Sequence, residues 1–442
     1  MNSLLWFYFM LGFSFSFSGL SMQTHLIKNY NASPVELANW FGFISLPWFF
    51  KPLYGILSDS CPISCGTSKK YHRRPYISIG LVSTALTWVF LYFNFDHMGV
   101  AETMSTVCIQ SLFLCIADVA ADGLMVTSVK SENKENKGRL QTLVWSMRCI
   151  GTILATYSGV YAQKYFGTRV VYLLSGILPL FTAGIIWQFP EKPAKLPDAV
   201  INFTTNLQST FRGIWSTLQR AKYLVAFCFI FSAVPSYSST LFVFLQEKLK
   251  YSMHKLAKLT IVSSFFGLLG TMFFYKLIDK INPKWAIFWG VILQSATRCI
   301  LLFVVSDPTW SIEHSTALFL LYVENSAMAF LSQLTQMPIL ILAAHVCTAP
   351  FEAACYATVL SVSNFGGATS SFVGAGITRQ LKISSTPENW EGLPTLIEIC
   401  TGSMIIPIIF LFLLPIDFTI PENIAYRKVL PLASEKEDIL EQ

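Results

Sequence analysis

Charge is what this sequence is short of. Asp, Glu, Lys and Arg make up 13% of its 442 residues, about half the roughly 25% of a soluble domain. So few charges cannot coat a water-facing surface on a chain this long, so lipid must cover much of it. Other absences narrow the chemistry. No phosphate-binding loop, zincin motif or nucleophile elbow occurs, which removes ATP-driven pumps and the commoner membrane hydrolases. No CxxC pair occurs. The nearest approach is Cys61 and Cys65 with only His72 close by, so the cysteines read as reduced thiols, not metal ligands. There is no long basic tail, so the net charge of +6 is no nucleic-acid signal. The first apolar segment lacks the charged n-region and small-residue cleavage site of a secretory signal and reads as a retained membrane helix. No cofactor and no metal are expected.

What the chain has in abundance is apolar runs. Hydrophobic residues make up 53% and aromatics 15%, and Trp and Tyr suit helix ends at the headgroup level. A membrane helix needs about 20 mostly apolar residues. Twelve such runs occur, at 3–22, 36–58, 75–94, 103–129, 139–162, 170–189, 222–246, 257–279, 284–305, 314–343, 352–377 and 395–415. The longest connection splits them six and six. The expectation is an all-α membrane protein of twelve transmembrane helices in two six-helix pseudo-repeats, residues 1–189 and 222–415. A cytoplasmic linker at 190–221 and a cytoplasmic tail at 416–442 complete it. Loops on the side of the termini carry about twice as many Lys and Arg as the opposite loops, which places both termini in the cytoplasm. Gly55 to Asp59 ahead of a basic loop is echoed by Tyr275 to Asp279, and Arg148 with Gly151 by Asn364 with Gly367. Weak parallel repeats of this kind mark carriers whose halves rock about a central site.

Charges inside the apolar runs are the candidate site residues, because each costs at least about 2.5–3.5 kcal/mol at a helix centre. They are Lys51 ahead of Pro52, Asp118 and Asp122 at i, i+4 and so on one face, Arg148, Arg298 and Glu324. Pairing of Asp118 or Asp122 with Arg148 on the next helix would neutralise both partners, and a purely structural pair is the plainer alternative. Acidic pairs facing a cavity also serve proton relays. Trp48 and Trp145 sit mid-helix, where a ring stacks on a flat ligand or simply packs. The glycines Gly366, Gly367, Gly374 and Gly376 are explained by close helix packing.

Three stretches resemble the folate–biopterin transporters, a branch of the major facilitator superfamily found in protozoan parasites, cyanobacteria and plant plastids. The first runs from Leu46-Pro47-Trp48 through Lys51-Pro52 to Gly55 and Asp59, then Arg73-Arg74-Pro75-Tyr76. The second is Ala117-Asp118 to Asp122-Gly123, then Gly138-Arg139-Leu140-Gln141 to Trp145 and Arg148. The third is Ala349-Pro350-Phe351-Glu352, then Ser361 to Asn364-Phe365-Gly366-Gly367. The segment from Cys61 to Tyr71, and Phe351 where the family usually has Gly, depart from the pattern.

The resemblance implies the major facilitator fold and a secondary active transporter of folates or pterins by alternating access, coupled to protons. It is not an enzyme. Arg148 or Arg298 would hold the substrate carboxylates, and Asp122 or Glu324 would accept from the pterin amino and ring N–H groups. Trp145 would stack, with Asn364 also lining the site. Asp118, Asp122 and Glu324 are the proton-coupling candidates, and Gly55, Asp59, Arg73 and Arg74 the gating latch. A basic loop that only sets topology is the alternative for the last group. The implied partners are the small-molecule substrate, protons and membrane lipid, with no nucleic acid, for a monomeric multi-pass protein of the plasma membrane or an organelle membrane. The alternatives are a major facilitator carrier for another small solute, such as p-aminobenzoate, an amino acid or a nucleoside, and a membrane-embedded enzyme or lipid scramblase.

Overall fold

Apolar runs become helices in lipid because every backbone polar group must be satisfied within the segment. A computed structural model describes residues 2–64, 70–130, 139–193, 203–277, 281–306, 314–346 and 352–414. Among them, eight helical stretches are long and apolar enough to cross a bilayer: Asn2–Tyr30, Arg74–Phe93, Val100–Val126, Thr142–Gln188, Met253–Leu277, Pro283–Val305, Ser315–Ala343 and Leu393–Leu413. Large side chains such as Leu86, Phe93, Phe181, Phe303 and Phe412 stand exposed along them, as a lipid-facing coat requires.

The first stretch comprises α1 (Asn2–Phe17) and α2 (Gly19–Tyr30) and extends eight residues past the expected end. It stops at Asn31, whose backbone is left-handed (φ 52°), with the Ala32 N–H returned to the Leu26 carbonyl at 3.1 Å. Ser33 then starts α3 (Pro34–Ser45) with a capping box to Glu36, which satisfies N-terminal donors reciprocally.

The run expected as one helix at 36–58 is three pieces. After α3 come a 3-10 turn at Leu46–Phe50 and α4 (Lys51–Ser60). Pro47 and Pro52 are the cause, since each lacks an N–H and its ring clashes with the carbonyl four residues back. The carbonyls set free are met by neighbours. Ser111 Oγ donates to Ile44 O at 2.9 Å, the Cys108 and Cys115 thiols reach Phe43 O and Pro47 O at 3.8 and 3.7 Å, and Asn364 Nδ2 donates to Trp48 O at 3.4 Å.

Next come α5 (Arg74–Phe93), α6 (Val100–Lys130) and α7 (Arg139–Ile185). α7 covers two expected runs, and Gly167 (φ 79°, ψ 166°) bends it between them. α8 (Phe203–Ser232) begins well before residue 222, so the second part of the expected linker is helix continuous with the run beyond. That run is then interrupted at 233–237, around Pro235, before α9 (Ser238–Glu247). Here too a neighbour serves the loose backbone, as Ser236 N–H bonds to Ser370 O at 3.2 Å. α10 (Met253–Leu277), α11 (Pro283–Val305), α12 (His314–Val346), α13 (Glu352–Gln380) and α14 (Leu393–Ser403) follow. Asp279 and residues 347–351 lie outside the described residues.

α1 packs on α7, which packs on α5, and α5 on α6. α10 and α11 both pack on α12. Across the chain's midpoint, α13 lies against α3 and α4, while α10 lies against α7. α1 and α7 approach at backbone distance. A Cβ on Gly12 would overlap the Arg148 carbonyl, and one on Gly151 the Phe9 carbonyl. On α13 the glycines divide. Gly366 and Gly374 face the backbone of 229–236, but Gly367 and Gly376 have nothing within 4 Å of where a Cβ would stand. Close packing therefore accounts for two of the four.

α9 ends as α2 does. Lys250 is left-handed (φ 51°), and the Tyr251 N–H returns to the Leu245 carbonyl at 2.9 Å. The register matches residue for residue: Leu26 with Leu245, Asn31 with Lys250, Ala32 with Tyr251, Ser33 with Ser252 and Pro34 with Met253, the last two opening the next helix. Apolar contacts join the two sides of the chain at this end, where Leu26 and Leu37 share a cluster with Phe244 and Leu256. They join again at the other end, where Phe7 and Ile77 share one with Phe227 and Ile339.

The glycine contrast is testable. Gly374→Ala places a methyl against the Ser236 carbonyl and is expected to lower the melting temperature of the detergent-solubilised protein. Gly376→Ala, which meets nothing, is expected to be neutral or slightly stabilising, since Ala is about 1 kcal/mol the better helix former. Equal melting temperatures for the two variants would refute the close approach.

Candidate functional site

Five polar residues of α6 recur at helical spacing on one face: Cys108, Ser111, Cys115, Asp118 and Asp122. The first three serve the carbonyls of the broken 34–60 segment. The last two meet its cation. Lys51 Nζ forms an ion pair with Asp118 and stands 3.4 Å from Asp122 Oδ2. The Tyr8 hydroxyl of α1 donates to Asp122 Oδ1 at 2.7 Å. All three charges are buried, with Lys51 and Asp118 3% and Asp122 5% exposed. The triad carries one net negative charge when every member is ionised. It is the kind of buried group whose proton occupancy and pairing can change together.

The expected pairing of an α6 aspartate with Arg148 is corrected by this geometry. The break at Pro52 turns Lys51 toward α6. The close seam between α1 and α7 holds Arg148 elsewhere, with its guanidinium over Phe15 (5.4 Å) and Trp145 (5.1 Å). Among the described residues no carboxylate comes within 4 Å of it. Trp145 therefore offers a face to Arg148. Trp48 packs against Phe15 at 5.4 Å, donates to Ser111 Oγ at 2.8 Å and lies 4.8 Å from Lys51 Nζ. Tyr8, Phe15, Trp48, Lys51, Asp118, Asp122, Trp145 and Arg148 thus form one connected neighbourhood, joined from α13 by Asn364 at the Trp48 carbonyl.

Arg298 and Glu324 form a second neighbourhood. Arg298 lies over Tyr237 at 4.9 Å, and its Nε is buried without a hydrogen-bond partner. Glu324 is 4% exposed and lies in the field of Arg298, though not within 4 Å of it.

At the end of the chain's fold carrying Asp59, the expected carboxylate–base pairing is present between Asp59 and Arg73, with Arg73 also donating to Ser58 Oγ at 2.6 Å. Gly55 is buried on α4. Arg74 turns away to Glu191, 3.4 Å distant, and to the Trp187 and Phe189 carbonyls. The Glu191 carboxylate also accepts the backbone N–H groups of His72, Arg73 and Arg74 at 2.9–3.0 Å. It thereby caps the start of α5, where helix donors are free and the dipole favours an anion. The spacing along the chain gave no sign of this contact. The α6 stripe, by contrast, could have been read from its 3-4-3-4 spacing. Among the described residues no three His, Cys, Asp or Glu side chains gather to hold a metal.

Buried charged groups among apolar helices that expose large hydrophobic side chains mark a polytopic membrane protein. Residues 11–428 match the BT1 family, and the chain belongs to it. It is 26% identical to the folate-biopterin transporter of Synechocystis sp. over 90% of this chain and 78% of that protein. It is 25% identical to folate transporter 1 of Plasmodium falciparum, over 90% and 76%. Probable folate-biopterin transporter 4 of Arabidopsis thaliana is also 25% identical, over 93% and 94%. These relatives are transporters, and the chain is not an enzyme. A crystal structure of a point mutant of the nucleoside transporter NupG shares the fold, with a TM-score of 0.64 over 94% of this chain and 99% of that one at 13% identity.

The Lys51 triad makes a stability prediction. Removing one partner of a buried ion pair costs about 3–5 kcal/mol because it strands the other. Lys51→Met is therefore expected to destabilise the purified protein strongly, and Lys51→Met with Asp118→Asn to recover much of the loss. Melting temperatures that fall additively would show the residues to be uncoupled.

Proposed function

We propose that the chain is a secondary active carrier of folates or pterins, with twelve transmembrane helices in two six-helix halves that rock about a central site. The observation that carries this reading is Arg148, a half-buried residue whose guanidinium is flanked by two aromatic rings, with no carboxylate within 4 Å among the described residues. A folate is a flat heteroaromatic joined to a glutamate dianion. An Arg fork suits its carboxylates, and the adjacent rings suit its flat face. Arg298, with no carboxylate within 4 Å among the described residues though Glu324 lies in its field, is the second cation for a dianion. Asp122 and Glu324 accept from the pterin donors, and Asn364 completes the lining.

Twelve crossings are supported by the helix lengths. Thr142–Gln188 has 47 residues, roughly 70 Å of helix against a hydrocarbon core of about 30 Å. With its bend at Gly167 it counts as two passes. The broken segments at 34–60 and 203–247, together with α13, supply three more. Two halves are supported by the matched turns at Asn31 and Lys250, and by the contacts of α13 with α3 and α4 and of α7 with α10, which a two-fold relation between the halves interchanges. Residues 1–189 and 222–415 are those halves, α8 entering the second from 203. Both termini face the cytoplasm, with the protein in the plasma membrane.

Importing a dianion against a membrane potential costs roughly twice 2.3 kcal/mol per 100 mV, and a proton taken up with it offsets part of that. Asp122 is the first candidate for the proton, Glu324 the second and Asp118 the third. The Asp59–Arg73 pair, with Gly55 behind it and Arg74 tied to Glu191, is the latch that holds one state of the rocking cycle.

Labelled-folate uptake into cells or proteoliposomes tests the reading, competed by pterins, p-aminobenzoate, amino acids and nucleosides. Arg148→Ala is expected to abolish uptake and Arg148→Lys to rescue it poorly, because an ammonium lacks the planar fork. Normal uptake by Arg148→Ala would remove it as the anion clamp. Competition by amino acids or nucleosides alone would reassign the substrate.

Asp122→Asn is expected to flatten the pH dependence of net uptake while sparing substrate-for-substrate exchange. Wild-type uptake indifferent to pH and to a protonophore would remove the proton. Asp59→Ala is expected to keep substrate binding and slow transport, and loss of binding would end the latch reading. An impermeant maleimide is expected to label Asn389→Cys in intact cells. Labelling only after permeabilisation would invert the topology.

A further inference from the structure

α1 holds Arg148 at two points. A Cβ on Gly12 would overlap the carbonyl oxygen of Arg148 and press on its carbonyl carbon and Cα. All three atoms are backbone, so no side-chain rotation relieves the overlap. Any other residue at 12 must push the Arg148 peptide away from α1. The Gly12 carbonyl in turn accepts from Thr152 Oγ1 at 3.4 Å, one turn further along α7. Phe15 lies three residues on from Gly12, on the same face of α1, and its ring is 5.4 Å from the Arg148 guanidinium. The peptide and the head of Arg148 are thus both set against one helix.

The seam between α1 and α7 recurs between α8 and α13, contact for contact. A Cβ on Gly151 would meet Phe9 O and Phe13 N, and one on Gly366 would meet Phe229 O and Ala233 N. Two turns on, Gly159 faces the Phe17 carbonyl as Gly374 faces the Ser236 carbonyl. In this register Gly12 corresponds to Ser232 and Arg148 to Ser363, one residue earlier than the Arg148–Asn364 echo in the sequence. The Ser232 and Ser363 hydroxyls share a hydrogen bond of 2.6 Å. Such a seam therefore accommodates a side chain at both positions where no arginine stands. Helix packing alone does not call for glycine at 12; the close approach of the Arg148 backbone does.

We propose that Gly12 is a positioning residue for Arg148. By lacking a Cβ it sets how close the Arg148 peptide lies to α1, and so where the guanidinium stands between Phe15 and Trp145 to take a substrate carboxylate. The proposal rests on the reading of Arg148 as the anion clamp. An Arg fork pairs with a carboxylate through directional hydrogen bonds, so a small displacement of its backbone weakens that pairing. The proposed partners of the heterocycle, Asp122 and Glu324, stand on α6 and α12, which are not part of the seam. Gly12 therefore acts on the carboxylate-bearing end of the substrate and favours folate over a pterin without carboxylates.

The test is equilibrium dialysis of folic acid and, separately, of pterin against the purified full-length protein in detergent. Gly12→Ala is expected to weaken folic acid by about tenfold, the scale of one charge-assisted hydrogen bond, and to leave pterin unchanged. Gly159→Ala, which crowds the same seam at the Phe17 carbonyl, is expected to lower the melting temperature as Gly12→Ala does and to leave both ligands unchanged. With Arg148→Ala present, Gly12→Ala is expected to cost folic acid nothing more, because the two act through one group. Should Gly12→Ala fold poorly, Thr152→Val serves instead, since it adds no bulk and removes the hydroxyl on the Gly12 carbonyl. It is expected to weaken folic acid by about threefold and to spare pterin. Equal loss of both ligands, unchanged affinity for folic acid, or a loss that adds to that of Arg148→Ala overturns the positioning role. If Arg148→Ala loses folic acid selectively and Gly12→Ala does not, the positioning role alone falls. Wild-type protein that binds neither ligand, or Arg148→Ala protein that binds folic acid normally, overturns the clamp and the positioning role with it.

Discussion

The interaction on which the rest depends is between a helix that cannot finish its own hydrogen bonds and the helix that finishes them. Pro47 and Pro52 break the 34–60 segment in the middle of an apolar layer, where no water can take the freed carbonyls. α6 answers with Ser111 and two thiols, α13 with Asn364. The same break delivers Lys51 to Asp118 and Asp122. Backbone repair and charge neutralisation are therefore one contact surface. A break that left its carbonyls bare would cost several kcal/mol for each, so α6 cannot leave the broken segment without other protein groups taking its place.

This explains which parts of the site were legible in the sequence. Intramembrane charge is costly wherever it falls, so Lys51, Asp118, Asp122, Arg148, Arg298 and Glu324 stood out from position alone. The i, i+4 spacing put both aspartates on one face, and both do meet one cation. The partner was misread because sequence proximity favoured Arg148 on the following helix, whereas a proline kink redirected Lys51 from two helices back. Nearest in sequence is a poor guide in a bundle where α6 has several neighbours. Apolar runs located the helices, but hydropathy does not register a break inside a run. The interruptions at 46–50 and 233–237 were signalled only by prolines, and the end of α2 by nothing stronger than Asn31. Glu191 capping α5 joins residues far apart in the chain, with no periodicity to betray it.

The chain repeats itself where it turns at Asn31 and Lys250 and not where it carries charge. The turns at Asn31 and Lys250 agree in backbone conformation, in hydrogen bond and in the residue that starts the next helix. Both are non-glycine residues at positive φ, a conformation uncommon outside Gly; Lys382 after α13 shares it, but the following Ile383 bonds back five residues to Thr378 where Ala32 and Tyr251 reach back six. The charged neighbourhoods differ. One side holds a compact triad with its cation satisfied, and the other holds Arg298 and Glu324 close enough to feel each other without touching. Asymmetry in the lining lets a substrate with two chemically different ends bind in one orientation.

In the proposed carrier, the distribution of satisfied and unsatisfied charge would give the neighbourhoods different parts. A buried cation that already has two carboxylates gains little from an arriving anion, which would add repulsion from the aspartates. Lys51 therefore suits exchange of protons and partners with Asp118 and Asp122. Arg148 and Arg298 carry the opposite logic. Each is held by aromatic rings, Phe15 and Trp145 for one and Tyr237 for the other, an attraction worth only about 0.5–2 kcal/mol and so compatible with stronger binding to a carboxylate. In the proposed carrier, an anion docking on them would change the net charge around the site, and the triad with its surplus negative charge would be the group placed to compensate by taking a proton. On that proposal substrate and proton would be linked through the field between the neighbourhoods and need not share a residue.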